Sequence, residues 1–541
     1  MMHRRAFIGS GAMAISSALA GTRWSRILAA VGNAKAAPGP TVETRAGKVR
    51  ALVDGGIAAF RGIPYGASTA GAGRFMPPAN VQPWTGVRDA FELGPRSPQS
   101  PAGLIPEFAA MDRTEPMGED CLCLNIWTPG PGSGRKRPTI VWLHGGGYST
   151  GSAGFICYDG ANLARKHDVV VVGVNHRLNM FGYLYLAELG GEKYAQSSNL
   201  GMLDIIAALE WVRDNVAAFG GDPGNVTLFG QSGGGGKVST LMAMPSAQGL
   251  FHRAIVESAS ALKGVSRNDA TDSAEKLLAK LGIKSGDLDR AQRLPIDQLL
   301  AAMGEGGPAG NQALRLAPVV DGRTLPKDPF DPVAPEISSN IPLLIGSVET
   351  EVTFFPGQQL DPIDDATLHR KVKETVHADD AQADRLIAVY RKGRPGITDT
   401  DLYLILASDA SFRRGVLTEA ERKAAAAKAA VYMYYFTWRT PVRGGKLRSF
   451  HTLEIPFVFE NVDLAKSMTG SGTDRYALSD KISSAWVAFA RSGNPNHKGL
   501  PRWPAFNNTQ RATMILNNEC KVANDPNGEE RKTLYSLQPV S

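Results

Sequence analysis

Cysteine is scarce in this chain of 541 residues, which has only Cys121, Cys123, Cys157 and Cys520. So few cysteines cannot form the dense disulfide framework that holds small secreted domains together. There is no C-x-x-C pair, and Cys121-Leu-Cys123 has no histidine cluster to match it, so the usual zinc-ligand pattern is missing. We therefore predict neither a disulfide scaffold nor a metal site.

Long apolar runs, internal repeats, heptads and blocks of like charge are also missing. After the first forty residues, no apolar stretch reaches the ~20 residues that a membrane-spanning helix needs, so stable membrane insertion is not expected. What remains is an ordinary globular composition, 43% hydrophobic and 21% charged, with enough length for a large buried core.

The first forty residues differ from the rest of the chain. Arg4-Arg5 precedes a mostly apolar run at 7–20, which is too short to cross a bilayer but suits the apolar region of a signal peptide. Paired arginines before such a run resemble a bacterial twin-arginine export signal. The alternative is a disordered basic tail. We expect export to the periplasm or to the outside of a bacterial cell.

Two A-x-A sites offer cleavage points, after Ala20 and after Ala36. The second is favoured because prolines follow it and lead into the first strand-like segment. We therefore predict a signal peptide over 1–36 and a single α/β domain over 37–541. The signal carries five basic and no acidic residues, so its removal lowers the formal net charge of +7 by five. The basic pI is then poor support for a nucleic-acid partner, and none is expected.

Short apolar runs alternate with helical patterns along the chain. Residues 139–143, 169–172 and 225–229 are compact apolar runs, as in strands buried on both faces. Between the last two, 203–219 has apolar residues mostly three and four apart, which form one helix face and end at strong breakers. Turn signals within 41–65 indicate antiparallel strands. We predict an α/β fold with a mostly parallel central sheet flanked by helices.

The nucleophile motif G-x-S-x-G occurs twice, around Ser232 and around Ser149. Taken alone the motif is weak, because glycine is abundant in this chain. A nucleophilic serine of this kind must follow a strand and open a helix, so that it projects from a strained turn. Ser232 follows the run at 225–229 and precedes a helical pattern at 237–244, whereas no helical pattern follows Ser149. This context favours Ser232 as the nucleophile.

An H-G-G-G sequence at 144–147 directly follows the apolar run at 139–143. In esterases such a loop supplies backbone N–H groups that bind the oxyanion, and side chains there would block a close approach. The plain alternative is a glycine-rich turn. Together with the motif at Ser232, the sequence favours an oxyanion loop.

Many segments in a fixed order resemble the type-B carboxylesterase/lipase family, which includes cholinesterases and bacterial para-nitrobenzyl esterases. The resemblance extends from about Thr41 to the C-terminus. Besides H-G-G-G and the serine motif, its segments are F-R-G-I-P-Y at 60–65, E-D-C-L at 119–122, L-N-I-W at 124–127, N-H-R-L at 175–178, A-F-G-G-D-P at 218–223, P-V-V-D-G at 318–322 and G-N-P-N at 493–496. The resemblance implies an α/β-hydrolase fold, a Ser-Glu-His triad and no cofactor.

The resemblance also assigns the site residue by residue. The family serine falls on Ser232, and the family histidine, which precedes an E-x-P-F-V-F stretch, falls on His451. The family acid lies in a G-x-x-x-x-E-x-x-x-F segment and falls on Glu351; Glu349, two residues earlier, is the alternative. The order serine, acid, histidine is the one expected for α/β-hydrolases. The family's oxyanion donors map to the backbone N–H groups of Gly146, Gly147 and Gly233.

The chain departs from the family pattern at three places. Ser97 stands where the family often has the cysteine that pairs with that of its E-D-C-L segment, so Cys121 is expected to have no such partner. Lys237 follows the serine motif where many members have a small residue, and a lysine there must be paired or reach water. Met111 falls near the choline-binding tryptophan of cholinesterases, so binding of a quaternary ammonium is not expected.

The sequence therefore predicts a serine carboxylic-ester hydrolase that acts on a small-molecule ester through an acyl-enzyme. Two alternatives stay open: a specialised hydrolase of amides, carbamates or polyester-type compounds on the same fold, and a non-catalytic, cholinesterase-like binding domain. The complete triad argues against the second, because binding members of the family usually lose a triad residue. Neither the natural substrate nor the oligomeric state follows from the sequence.

Overall fold

The apolar runs predicted as strands belong to one sheet of 13 strands in the computed structural model, which describes residues 36–101, 105–112, 115–304 and 314–537. The strands are β1 Ala37–Glu43, β2 Lys48–Asp54, β3 Ile57–Pro64, β4 Val87–Asp89, β5 Cys123–Thr128, β6 Arg137–Leu143, β7 Val170–Val174, β8 Gly221–Gln231, β9 Arg253–Glu257, β10 Leu343–Val348, β11 Val431–Phe436, β12 Ala512–Leu516 and β13 Lys521–Asn524. Except for Ala36, the predicted signal peptide lies outside the described residues.

The middle of the sheet is parallel. The strand order is β1-β2-β3-β5-β7-β6-β8-β9-β10-β11-β12-β13, and β4 pairs with β2. All pairs from β7 through β12 are parallel, whereas the pairs from β1 to β7 along this order, and β12 with β13, are antiparallel. Every residue of β7 and β10 is buried, as in strands covered on both faces. The predicted α/β fold with a mostly parallel sheet is confirmed.

Helices connect and cover these strands. In the described residues they are α1 Ala161–His167, α2 Asn179–Tyr183, α3 Leu200–Asn215, α4 Gly233–Leu241, α5 Arg267–Lys280, α6 Leu288–Arg293, α7 Ile296–Met303, α8 Asp365–Val376, α9 Asp380–Gly393, α10 Asp399–Ser408, α11 Arg414–Ala425, α12 Ile455–Val458, α13 Lys466–Thr469, α14 Asp474–Ser492 and α15 Gly528–Leu537. A π-helical turn, Asp409–Arg413, joins α10 to α11.

Local sequence signals set the ends of these elements. The predicted helix over 203–219 is α3 followed by a 3₁₀ turn at Val216–Phe219, and Gly220 ends it with a φ of 81°. A left-handed residue at a helix end suits glycine, which has no Cβ to clash. Asp379 begins α9 with a capping box, in which its side chain accepts from Gln382 N at 2.8 Å. The antiparallel strands expected within 41–65 are β1 to β3.

The four cysteines, all within the described residues, form no disulfide. Cys121 is fully buried, and Ser97, the residue that stands in place of a partner cysteine, accepts from Leu178 N through its Oγ at 3.1 Å. Burial raises the pKa of Cys123 to about 12, so this thiol stays protonated. Among the helices of the described residues, none is long and apolar enough to cross a bilayer.

Candidate active site

Four parallel strands end at one edge of the sheet, and each leads into a segment that the sequence analysis selected. The H-G-G-G segment at 144–147, called the glycine loop below, follows β6, and Ser232 follows β8 directly. Glu351 follows β10 in a 3₁₀ turn, and His451 lies in the segment after β11. Because the carboxyl ends of neighbouring parallel strands meet at the same edge, residues far apart in sequence come together there.

Ser232 occupies a strained turn between β8 and α4. Its φ of 57° and ψ of −128° lie outside the regions that a residue with a Cβ prefers, so the surrounding structure must hold it. Its N–H donates to Glu257 O at 2.8 Å. A Cβ on Gly234 would overlap Leu143 O, and one on Gly233 would overlap Gly147 O. The glycines therefore let α4 start close against β6 and the glycine loop.

Ser149, the other serine in a G-x-S-x-G motif, lies in a different setting. It belongs to a turn in which its N–H donates to Gly146 O at 3.2 Å and its own carbonyl accepts from Asn179 Nδ2 at 3.1 Å. No helix follows it directly, and it does not line the cavity described below, as far as the described residues show. Ser232 thus lies between a strand and a helix, whereas Ser149 lies in a turn with no helix directly after it.

Glu351 and His451 are in direct contact. His451 Nδ1 lies 2.5 Å from Glu351 Oε2, and Val348 N donates to Glu351 Oε1 at 3.0 Å. Glu351 is fully buried and His451 is 1% exposed. The carboxylate is thereby fixed in orientation and can hold one imidazole tautomer, with Nδ1 protonated.

Pairing between two loop segments brings this contact about. Thr350 N donates to Ser449 O at 3.0 Å, and Ser449 N donates back to Thr350 Oγ1 at 3.0 Å. Thr350 directly precedes Glu351, and Ser449 stands two residues before His451. The pairing of these two residues therefore aligns the acid and the imidazole. Thr353 Oγ1 donates to Leu447 O at 2.7 Å and extends the alignment.

Glu349, the alternative acid, points elsewhere. Its carboxylate accepts from Arg439, whose Nη2 lies 3.0 Å away, and Arg439 is paired with Asp401 as well. Arg439 is partly exposed, so this is a peripheral ion pair rather than part of the cavity.

The surroundings of His451 include groups that the motifs did not indicate. The rings of Phe354, Phe355 and Phe412 lie with their centroids 5.6, 5.7 and 4.9 Å from that of the imidazole. Gln231 Nε2 lies 3.3 Å from each ring nitrogen, so the amide is stacked on the ring. No hydrogen bond among the described residues joins Ser232 Oγ to His451; such bonds often tighten only when substrate binds.

The glycine loop turns its carbonyl groups away from its free N–H groups. Gly146 O accepts from Thr150 N at 3.1 Å, and Gly145 O lies 2.8 Å from His144 Nδ1. The N–H groups of Gly146 and Gly147 take part in none of the hydrogen bonds found among the described residues. Gly233 is the first residue of α4, so its N–H has no acceptor within the helix. These three N–H groups can therefore donate to a ligand oxygen.

A cavity of about 420 Å³ brings these parts together, a size typical of small-molecule sites. Ser232, His451 and the loop from Gly145 to Gly147 line it. Its apolar wall consists of Pro101, Met111, Met117, Phe155, Phe354, Phe355 and Phe412. Met111, which the sequence analysis set beside the choline-binding position, is therefore part of an apolar surface. Phe412 comes from the π-helical turn, which no sequence pattern predicted.

Two buried carboxyl groups stand behind the site. Trp486 Nε1 donates to Glu257 Oε1 at 2.6 Å, and Ser258 Oγ donates to Glu454 Oε1 at 3.0 Å. The Oε2 atoms of Glu257 and Glu454 have no hydrogen-bond partner within the described structure. Burial raises the pKa of both carboxyl groups well above the usual range, so both favour the neutral, protonated form. Neither residue was predicted from the sequence as part of the site.

The fold and the position of the cavity define an α/β-hydrolase. The carboxylesterase family model matches residues 38–534. Para-nitrobenzyl esterase of Bacillus subtilis is 36% identical over 499 residues, which cover 91% of this chain and 98% of that protein. Phenmedipham hydrolase of Pseudarthrobacter oxydans is 32% identical over 90% of this chain and 97% of its own length.

Solved structures agree with these sequence relatives. A carboxylesterase of Geobacillus stearothermophilus aligns with a TM-score of 0.78 and 36% identity, covering 91% of this chain and 99% of that one. An esterase of Clostridium hathewayi aligns with a TM-score of 0.80 and 35% identity, over 92% and 98% of the two chains. The chain belongs to the carboxylesterase family and is a carboxylic ester hydrolase.

Proposed function

We propose that the chain hydrolyses esters in two acyl-transfer steps, with Ser232 as nucleophile, His451 as general base and Glu351 as the acid that orients the imidazole. The observation that carries the proposal is the 2.5 Å contact between His451 Nδ1 and Glu351 Oε2 beside a strained serine in the same cavity. Serine, base and orienting acid are the three roles that this chemistry needs.

In the first step, His451 Nε2 takes the proton of Ser232 as Oγ attacks the ester carbonyl carbon. The tetrahedral intermediate then collapses, the C–O bond to the alcohol breaks, and His451 returns the proton to the leaving alkoxide. In the second step, water attacks the acyl-enzyme with the same base, which releases the carboxylic acid and restores Ser232. The carboxylate of Glu351 stabilises the imidazolium that forms in each step.

The oxyanion of each tetrahedral intermediate would be bound by the N–H groups of Gly146, Gly147 and Gly233. Their lack of other acceptors supports this role, and so does the close packing of Gly233 against Gly147. Loss of one such donor typically lowers kcat by about 10²–10³-fold.

Covalent labelling tests the nucleophile. A p-nitrophenyl phosphate triester should phosphorylate the active serine and stop turnover, and peptide mass spectrometry locates the label. We expect the label on the peptide that contains Ser232, at one group per chain, and none on Ser232→Ala. A label on Ser149, or full inhibition without a label at Ser232, would contradict the proposal.

A second candidate function is hydrolysis of bulky aromatic esters, including polyester-type compounds. The observation that favours it is the apolar wall with three phenyl rings beside His451. The esterase of Clostridium hathewayi is described as able to hydrolyse aliphatic aromatic polyesters. A panel of benzoate and acetate esters tests it: aromatic preference predicts a higher kcat/KM for benzoates, and a preference for acetates would count against it.

We also infer that the chain is exported, because Arg4-Arg5 and the apolar run at 7–20 have the order of a twin-arginine signal. On this proposal the residues after Ala36 act in the periplasm or outside the cell. The substrate is a small-molecule ester, and no nucleic-acid partner is proposed.

A further inference from the structure

Lys237 is a fully buried lysine in α4, five residues after Ser232. Within the described residues, no carboxylate forms an ion pair with it. Burying an ammonium group without an acid partner is costly, and burial lowers the pKa of Lys237 to about 7. The hydrogen bonds of the amino group must therefore offset the free-energy cost of burying it.

The amino group of Lys237 donates to two carbonyl groups of the glycine loop. Nζ lies 3.1 Å from His144 O and 3.0 Å from Gly147 O. The peptide units with these carbonyls flank the two units that carry the N–H groups of Gly146 and Gly147. Lys237 thus holds the loop on both sides of the N–H groups of Gly146 and Gly147.

The other two loop carbonyls are held by the loop itself. Gly145 O is contacted by His144 Nδ1 at 2.8 Å, and Gly146 O accepts from Ser149 N and Thr150 N at 3.2 and 3.1 Å. Of the four loop carbonyls, only those of His144 and Gly147 are held by a distant residue in the part of the chain that the structure describes. Loss of the Lys237 amino group would remove the hydrogen-bond donor from both of these carbonyl groups.

The glycine-rich start of α4 makes room for this lysine. Side chains on a helix tilt toward its N-terminus, over the residues three and four positions earlier. For Lys237 these positions are Gly234 and Gly233, which have no side chains. A Cβ on Gly236 would lie 2.9 Å from Tyr148 Oη, and the Tyr148 ring stands 5.5 Å from Nζ. The run of glycines and the lysine therefore form one packing arrangement.

We infer that Lys237 is a positioning residue, whose bonds to the carbonyls of His144 and Gly147 aim the N–H groups of Gly146 and Gly147 at the oxyanion formed on Ser232. The inference rests on the proposed function, because the loop matters in this way only if the oxyanion forms there. Lys237 does not touch the substrate; it acts through the loop.

The test compares Lys237→Met with the wild-type enzyme in kcat, KM and affinity for a trifluoromethyl ketone. Such a ketone adds to the active serine and places an oxyanion in the same hole as the transition state. Methionine has a similar length and no donor. We expect kcat to fall about tenfold to a hundredfold, less than for the loss of a donor itself, with KM nearly unchanged. Ketone affinity should fall by the same factor as kcat.

Lys423→Met is the matched control. Lys423 is also a buried lysine that donates to a backbone carbonyl, that of Ser338, and it does not line the cavity. It should change stability without changing kcat or ketone affinity. Lys237→Gln, which keeps an uncharged N–H donor, provides a second substitution and should lose less than Lys237→Met.

Wild-type kcat and ketone affinity in Lys237→Met would overturn the inference, and so would a loss in Lys237→Gln that exceeds the loss in Lys237→Met. An equal loss of kcat in Lys423→Met would do the same, because the effect would then reflect stability alone. Failure of the proposed function would be recognised by a different result. In that case Ser232→Ala would keep its turnover, whatever the lysine variants do.

Discussion

His451 Nδ1 and Glu351 Oε2 lie 2.5 Å apart although the two residues are 100 positions apart in the chain. The contact exists because the segments after β10 and β11 pair through Thr350 and Ser449. In the proposed mechanism, a carboxylate at this distance stabilises the imidazolium that forms when His451 accepts the serine proton. The relationship therefore predicts which of two nearby glutamates matters for turnover.

Glu351→Gln should lower kcat by about 10²–10⁴-fold, because glutamine cannot stabilise the imidazolium and can favour the wrong tautomer. Glu349→Gln is the matched control two residues away, and it should keep most of its activity, since Arg439 retains Asp401 as a partner. The measurement is kcat for p-nitrophenyl acetate in both variants. Equal, mild losses would remove Glu351 from the triad.

Phe412→Ala tests the apolar wall beside the imidazole. The substitution removes a ring whose centroid lies 4.9 Å from that of His451. Because the lost contact is apolar, KM for a benzoate ester should rise about tenfold, while KM for an acetate ester should change little. Equal changes for both esters would mean that Phe412 supports the site without selecting the substrate.

Glu257→Gln should make the protein more stable than the wild type at pH 8. At pH 5 the gain in stability should be much smaller. In the folded state burial raises the pKa of Glu257, so the folded protein binds a proton that the unfolded chain loses above the usual value near 4.5. Wild-type stability contributed by this group is thus present below about pH 4.5 and is lost as pH rises. Glutamine does not titrate and can still accept from Trp486 Nε1.

Melting temperatures of Glu257→Gln and wild type, measured at intervals from pH 5 to 8, check this prediction. Glu275→Gln, which changes an exposed glutamate of α5, is the control and should follow the wild type at every pH. If the difference in Tm between Glu257→Gln and wild type does not grow with pH, Glu257 is not held in its protonated form.

Replacement of Arg4 and Arg5 by lysine should trap the precursor in the cytoplasm of a bacterial host, because the twin-arginine pathway reads the paired arginines. Cell fractionation with an esterase assay measures the effect. The wild-type chain should give periplasmic or secreted activity in the same host. Normal export of the double variant would argue for another route.

The sequence was informative where a short motif stands in a recognisable context. Ser232 could be separated from Ser149 because strand and helix patterns flank only the first, and these local patterns depend on residues close in sequence. The strands at 139–143 and 225–229 were predictable for the same reason, as buried parallel strands are apolar throughout. The assignment of Glu351 over Glu349 needed the resemblance to a family, since both stand in the same local sequence.

Contacts set by tertiary packing could not be read from the sequence. Phe412 reaches the cavity from a π-helical turn, and Gln231 stacks on His451. No sequence pattern predicts either position. Lys237 was conspicuous in the sequence, yet its partners are backbone carbonyls more than 80 residues away. A carbonyl group has no sequence signature, so a bond of this kind appears only in the folded chain.

The most direct test of the account is turnover of p-nitrophenyl acetate by Ser232→Ala and Ser149→Ala, each with a melting temperature close to that of the wild type. Ser232→Ala should lose activity by about 10³-fold or more, because the substitution removes the proposed nucleophile. Ser149→Ala should keep most of it, since that serine lies outside the cavity lining. An active Ser232→Ala beside an inactive Ser149→Ala would exclude Ser232 as the nucleophile.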